Sequence, residues 1–210
     1  MELERTDQEQ VEDLQKWWQE NRVALIGGLV LGIGALLGWE RWEAHSESQA
    51  MGASQAYEAV ATAVRLKQAD AAGAALVLLR DQHPGSVYLA HGLAARAQLA
   101  AESNDWGAVV RYLSEALDTG PDAALAGLLR LRLARAHWAA GDAAQAQTVL
   151  NGKFPEAYRG SALALRGDIA LAQGDTTAAK AAWEEALPLL AGSPEESLVS
   201  SKLERLGEGA

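Results

Sequence analysis

The apolar and polar positions divide this chain into three stretches. From Val23 to Trp39 (VALIGGLVLGIGALLGW) seventeen consecutive residues carry no charge, with Arg22 before them and Glu40-Arg41 after. At helical rise the run covers about 25 Å, slightly less than the ~30 Å hydrocarbon core of a bilayer. Ahead of it, Val11, Leu14 and Trp18 recur at the spacing of one helical face, and Thr6 with Glu9 fits a capping box. This predicts a short amphipathic helix over residues 1–21. Past Trp42 the chain turns to alanine and leucine at helical periodicity, and no strand is signalled. Small polar turns interrupt that periodicity at Lys67-Gln68-Ala69-Asp70, Asn104-Asp105, Gly141-Asp142 and Gly174-Asp175.

The flanks decide what the uncharged run is. Trp17 and Trp18 precede it, and Trp39 and Trp42 close it, where interfacial anchors of a membrane helix belong. A cleaved signal peptide needs a basic leading segment and a small-residue cleavage site. Here an acidic segment leads, and Gly38-Trp39-Glu40-Arg41 is a poor site for cleavage. Residues 22–42 are therefore read as one uncleaved transmembrane anchor. Arg5, Lys16 and Arg22 precede it, whereas Arg41 stands alone after it until Arg65. That bias predicts a cytoplasmic N-terminus, with everything past Trp42 across the membrane. Gly28/Gly32 and Gly34/Gly38 form two G-x-x-x-G pairs, and Ala24 extends the first by four residues. They predict a face for close helix packing in the membrane. A phosphate-binding glycine loop would need a preceding strand, and these glycines lie inside an apolar span.

The last three turns stand 37 and then 33 residues apart, near the 34-residue period of tetratricopeptide repeats. Aligned on them, Ala108 and Ala178 fall at matching places, with Ala146 one residue further on, and Glu115-Ala116-Leu117 matches Glu185-Ala186-Leu187, followed by Pro121 and Pro188. Each residue type has a physical part. Gly turns one helix into the next, Asp caps the second helix, and alanines admit close packing. Pro ends the pair. The expected fold is all-α: a tail over 1–21, the anchor over 22–42, a tetratricopeptide-like solenoid of helical hairpins over 43–206, and a flexible tail over 207–210.

Charge and composition remove most chemistry. The formal net charge is −10, so nucleic acid is not an expected partner. There is no cysteine, which excludes disulfides, thiolate metal sites and cysteine nucleophiles. No two of His45, His83, His91 and His137 sit three or four apart, so no helix-face metal pair exists. The adjacent acids Glu184-Glu185 and Glu195-Glu196 point to different helix faces rather than to one acid–base site. No catalytic residue, cofactor or metal is expected. Arg130, Arg132 and Arg135 form the basic cluster of the repeat region, either a solvated helix face or a patch for a carboxylate or acidic partner. Trp106, Trp138 and Trp183 are read as packing between helices.

The chain resembles the YfgM family of ancillary subunits of the SecYEG translocon. The likeness lies in Glu9-Gln10-Val11-Glu12, Trp17-Trp18, Glu20-Asn21, the Gly-rich stretch Ala24 to Gly38, and Trp39 with Trp42. It continues in Ala53 to Val64, Leu131 to Arg135, Leu165-Arg166-Gly167-Asp168, and Gly174-Asp175 with Ala182-Trp183-Glu184. It ends at Leu206 to Ala210. The resemblance implies an inner-membrane protein with a periplasmic repeat domain. It also implies association with the SecYEG translocon and a membrane-anchored, PpiD-like periplasmic chaperone, in support of newly exported polypeptides. The helical-hairpin array by itself points to non-catalytic binding and scaffolding. Three alternatives stay open: a membrane-anchored scaffold for another envelope assembly complex, an unrecognised enzyme with a polar constellation in a pocket, and a regulator acting through the cytoplasmic tail.

Overall fold

In the computed structural model, which describes residues 7–208, the chain is helical throughout its ordered elements. The helices are α1 (Asp7–Arg65), α2 (Ala69–Gln82), α3 (Val87–Glu102), α4 (Trp106–Asp118) and α5 (Ala123–Ala139). They continue with α6 (Ala143–Leu150), α7 (Glu156–Ala172), α8 (Thr176–Ala186), a 3-10 turn (Leu187–Leu189) and α9 (Pro194–Glu208). Two compact units divide the chain, Met1–Ala50 and Met51–Ala210.

In the first unit the tail and the uncharged run belong to one hydrogen-bonded helix instead of the separate segments expected. Between Asp7 and Arg65 there is no proline, so nothing removes a ladder hydrogen bond. The axis does bend, by 42° where Leu14–Ala24 meets Ile26–Arg65. Counted from Ile26, the apolar run meets Glu40, Arg41 and Glu43 before reaching the ~20 residues of a full span. Among the described residues no single helix is therefore long and apolar enough to cross a membrane, although the bent pair suffices in length and composition. The helix start covers residues 7–21 of the amphipathic segment expected over 1–21; residues 1–6, with Thr6 of the capping box, lie outside the described residues. At the other end α9 runs to Glu208, so Gly207 and Glu208 are helical where a flexible tail was expected from 207.

In the second unit four hairpins form in the expected order: the last part of α1 with α2, then α3/α4, α5/α6 and α7/α8. The residues that turn them, Lys67, Asn104, Gly141 and Gly174, all have positive φ, at 55°, 57°, 85° and 83°. This is the left-handed cap that ends a helix and reverses the chain. Asp105, Asp142 and Asp175 then accept from the backbone N–H of Ala108, Gln145 and Ala178 at 3.0, 3.0 and 2.9 Å. Gln68, at the same place in the first hairpin, makes no side-chain cap. Asp122, just after Pro121, caps α5 through the Leu125 N–H at 2.8 Å.

The core runs along the hairpins as connected clusters. Val60, Leu76, Leu79, Leu93, Leu113 and Leu129 join the first five helices, and Leu131, Leu150, Leu165 and Ile169 join α5, α6 and α7. Trp183, Leu190 and Val199 with Ala164 and Ala179 bind α7, α8 and α9. α5 thus buries Leu129 and Leu133 on one side and Leu131 and Ala134 on another. A helix covered by neighbours on two sides is apolar nearly all round, while an outer helix such as α4 keeps one apolar stripe. Among the described residues no polar or charged residue is fully buried, as expected where apolar faces meet directly.

Candidate functional site

In the α3/α4, α5/α6 and α7/α8 hairpins the first helix presents a face that its partner helix leaves uncovered. Three adjoining clefts follow these faces. The first, about 260 Å³, lies between α3, α4 and α5, with Gln98, Trp106, Arg132 and Arg135 on its walls. Trp106 and Arg135 also wall the second, about 360 Å³, which continues past Trp138 and Ser161 to Asp168, Glu195, Leu198 and Lys202. Trp138, Asp168 and Lys202 are shared in turn with the third, about 600 Å³, which ends at Leu171, Arg205 and Leu206. Shared walls make the three one groove across α3, α5, α7 and α9.

The groove is apolar along its base and charged along its edges. Leu198 is 53% exposed and Leu171 40%, while Trp106 and Trp138 are half-buried. The charged groups are partly fixed. Glu195 accepts from Ser161 Oγ at 2.5 Å and pairs with Arg135 Nη2 at 3.7 Å. Asp168 Oδ1 accepts from Lys202 Nζ at 2.6 Å and from the Trp183 indole N–H at 3.2 Å. The same indole donates to the Ala164 carbonyl at 3.1 Å, and Lys202 Nζ stands 5.7 Å above its ring centre. Both carboxylates thus clasp helices together and are engaged with cations, whereas Arg132 and Arg205 make no ion pair among the described residues. Apolar surface with cations at its edges suits a polypeptide segment held through side-chain burial and backbone or carboxylate contacts.

Gly167 explains how the clasp closes. A Cβ at this position would fall on the Trp183 indole nitrogen, so only glycine lets α8 seat that ring against α7. Trp183 is 1% exposed as a result.

The residues singled out in the sequence separate here. Arg132 and Arg135 enter the groove together, but Arg130 turns away and donates to the Lys153 carbonyl at 3.3 Å. Three cations two or three residues apart cannot share one helix face. Trp183 packs between helices as read, while Trp106 and Trp138 pack on the core and also wall the groove. In the first unit Trp17, Trp18, Trp39 and Trp42 are each at least half exposed, with the Trp39 and Trp42 ring centres 5.4 Å apart. A Cβ on Gly28, Gly32, Gly34 or Gly38 would meet nothing within 4 Å, and Ala24 is exposed, so this small-residue face is open. No cluster of three or more potential metal ligands exists among the described residues. Ser161, Glu195, Leu198 and Lys202 were not legible as site residues. Asp168 was not either, although it belongs to the resembling Leu165-Arg166-Gly167-Asp168.

Comparison with known proteins agrees with this architecture. Residues 15–208 match the family described as tetratricopeptide repeat-like domain. The chain is similar to the ancillary SecYEG translocon subunit of Escherichia coli, 32% identical over 184 residues, covering 88% of each chain. It is 29% identical over 180 residues to the protein of that name in Haemophilus influenzae, covering 86% of this chain and 88% of the other. A third relative of the same name, from Aggregatibacter actinomycetemcomitans, is 26% identical over 200 residues, covering 95% of this chain and 97% of the other.

Proposed function

The chain belongs to the family of ancillary SecYEG translocon subunits with a tetratricopeptide repeat-like domain, and from that premise we propose that it is a non-catalytic adaptor of the secretory translocon. In this reading the stretch 22–42 anchors it in the bacterial inner membrane with the N-terminus in the cytoplasm. The repeat domain then works in the periplasm with a membrane-anchored, PpiD-like chaperone on newly exported polypeptides. The observation that carries the reading is the continuous groove from Gln98 to Arg205, whose exposed leucines, and arginines without an ion pair among the described residues, suit a bound segment better than a reaction centre. The exposed apolar side chains of Val23, Leu31 and Leu36 support the anchor, and the open face at Ala24, Gly28, Gly32, Gly34 and Gly38 supports contact with another membrane helix.

Purification from mild-detergent extracts tests this. The intact chain should co-elute with the translocon and a periplasmic chaperone. Trp138→Ala with Arg132→Glu should lose the chaperone and keep the translocon. An unrelated membrane segment in place of 22–42 should weaken translocon recovery, because small-residue packing is replaced even though tethering remains. Absence of translocon from the intact chain would overturn the reading, as would a groove variant that keeps every partner. Protease added to opened periplasm should digest the repeat domain and spare the first residues if the orientation is right.

A further inference from the structure

A fourth cleft in the second unit shares no lining residue with the groove and has its own chemistry. It encloses about 450 Å³ beside the end of α6, the first half of α7 and the end of α8. Leu150 and Ala162 form its buried floor, with Phe154 and Leu163 half-buried above them. Around the mouth stand Lys153, Arg159 and Arg166, all exposed, against a single carboxylate, Glu185. Arg130, which donates to the Lys153 carbonyl, brings a fourth cation to the same loop.

This concentration runs against the composition of a chain with net charge −10. Like Arg132 and Arg205, Lys153, Arg159 and Arg166 have no acidic partner among the described residues, whereas Lys67, Arg80, Arg135, Lys180 and Lys202 each have one. Unpaired guanidinium groups beside an apolar recess carry an unused, bidentate preference for carboxylates. Arg159 and Arg166 are seven residues apart on α7, two turns, or about 10.5 Å along the axis on one face, with Leu163 between them. A helix that carries carboxylates seven apart around an apolar residue has the same spacing.

We propose that this cleft is a second docking site, which takes an acidic helical segment of a partner protein. An apolar side chain of the segment enters over Phe154 and Leu163 while carboxylates two turns apart pair with Arg159 and Arg166. The apolar residues lie recessed behind the cations, and Glu185 stands at the rim. A flat anionic lipid surface would meet Glu185 along with the cations and leave the recess empty, so an inserted side chain fits better.

The test uses the full chain in a neutral detergent with two labelled helical peptides. Both carry a central Leu, flanked at positions seven apart by Glu in one and by Lys in the other, and binding is read by fluorescence anisotropy. The unaltered chain should bind the Glu peptide at least about tenfold more tightly than the Lys peptide. Arg159→Glu with Arg166→Glu should reverse that order, and Arg159→Gln with Arg166→Gln should erase it. Both side chains are exposed, so circular dichroism should be unchanged in each variant. Lack of preference in the unaltered chain would overturn the proposal, as would a preference that survives the double Glu substitution. Displacement of the Glu peptide by dihexanoyl phosphatidylglycerol below its micellar concentration would also overturn it, by assigning the cleft to a lipid headgroup.

Discussion

Gln68→Asp should stabilise the first hairpin, because the backbone is already set for a cap that the side chain does not make. The residues after the turns have φ and ψ of −81° and 73° at Asp105, −97° and 73° at Asp142, and −88° and 83° at Asp175. Gln68 has −89° and 86°, and its carbonyl accepts the first helical bond, from the Ala72 N–H at 2.9 Å. What is absent is a side-chain acceptor for the N–H of Ala71, at the distance of 2.9 to 3.0 Å seen in the other three. Gln carries one methylene too many to fold back as Asp does. Supplying a cap is worth about 0.5–2 kcal/mol. Asp70 already provides first-turn negative charge, so the dipole adds little and like-charge repulsion removes a few tenths of a kcal/mol. The net gain should be about 0.5–1 kcal/mol, roughly a two- to fivefold slowing of amide exchange at Ala71 and Ala72 if they exchange through local opening. Exchange by NMR is the suitable readout, since a repeat array need not melt as one unit. Gln68→Asn should give a similar gain without the charge. If neither substitution slows exchange, the shared backbone geometry does not make a cap site and the reasoning fails.

Gly167→Ala should cost about 1–3 kcal/mol by overpacking against Trp183, lowering the melting temperature by several degrees without disturbing α2 to α4. Trp183→Phe removes the indole donor to Ala164 and Asp168 and leaves a small void, for a loss of about 1–3 kcal/mol, measurable by urea titration of the same unit. Glu102, 2.9 Å from Lys67 Nζ, raises that ammonium above the ordinary lysine value by hydrogen bonding and then by charge. A raised folded-state value means the contribution is whole at neutral pH and is lost only as pH climbs through the raised value. Glu102→Gln should return the Lys67 titration, followed by NMR, to the ordinary range, and any stability it removes should be lost near pH 7 and not above the raised value.

The sequence determined much of the fold because the deciding signals are local. Four polar turns had to reverse the chain, and all four adopt the same left-handed conformation, including Lys67 and Asn104 where no glycine marked the place. Three of the aspartates that follow are caps because an N-cap depends on its own dihedrals and an amide three residues away. The helical class, the hairpin order and, among the described residues, the absence of strands came from periodicity of the same short range. The tertiary structure decided what depends on neighbours far along the chain. It sent Arg130 away from Arg132 and Arg135, gave Trp106 and Trp138 to a groove as well as a core, and joined Asp168 to Lys202 across 34 residues. It also gathered Lys153, Arg159 and Arg166 around one apolar recess, although nothing in their order announced a cluster. Helical turns are written into adjacent residues, whereas a binding surface is built from one face of each of several helices. Which face remains uncovered is settled only when those helices pack.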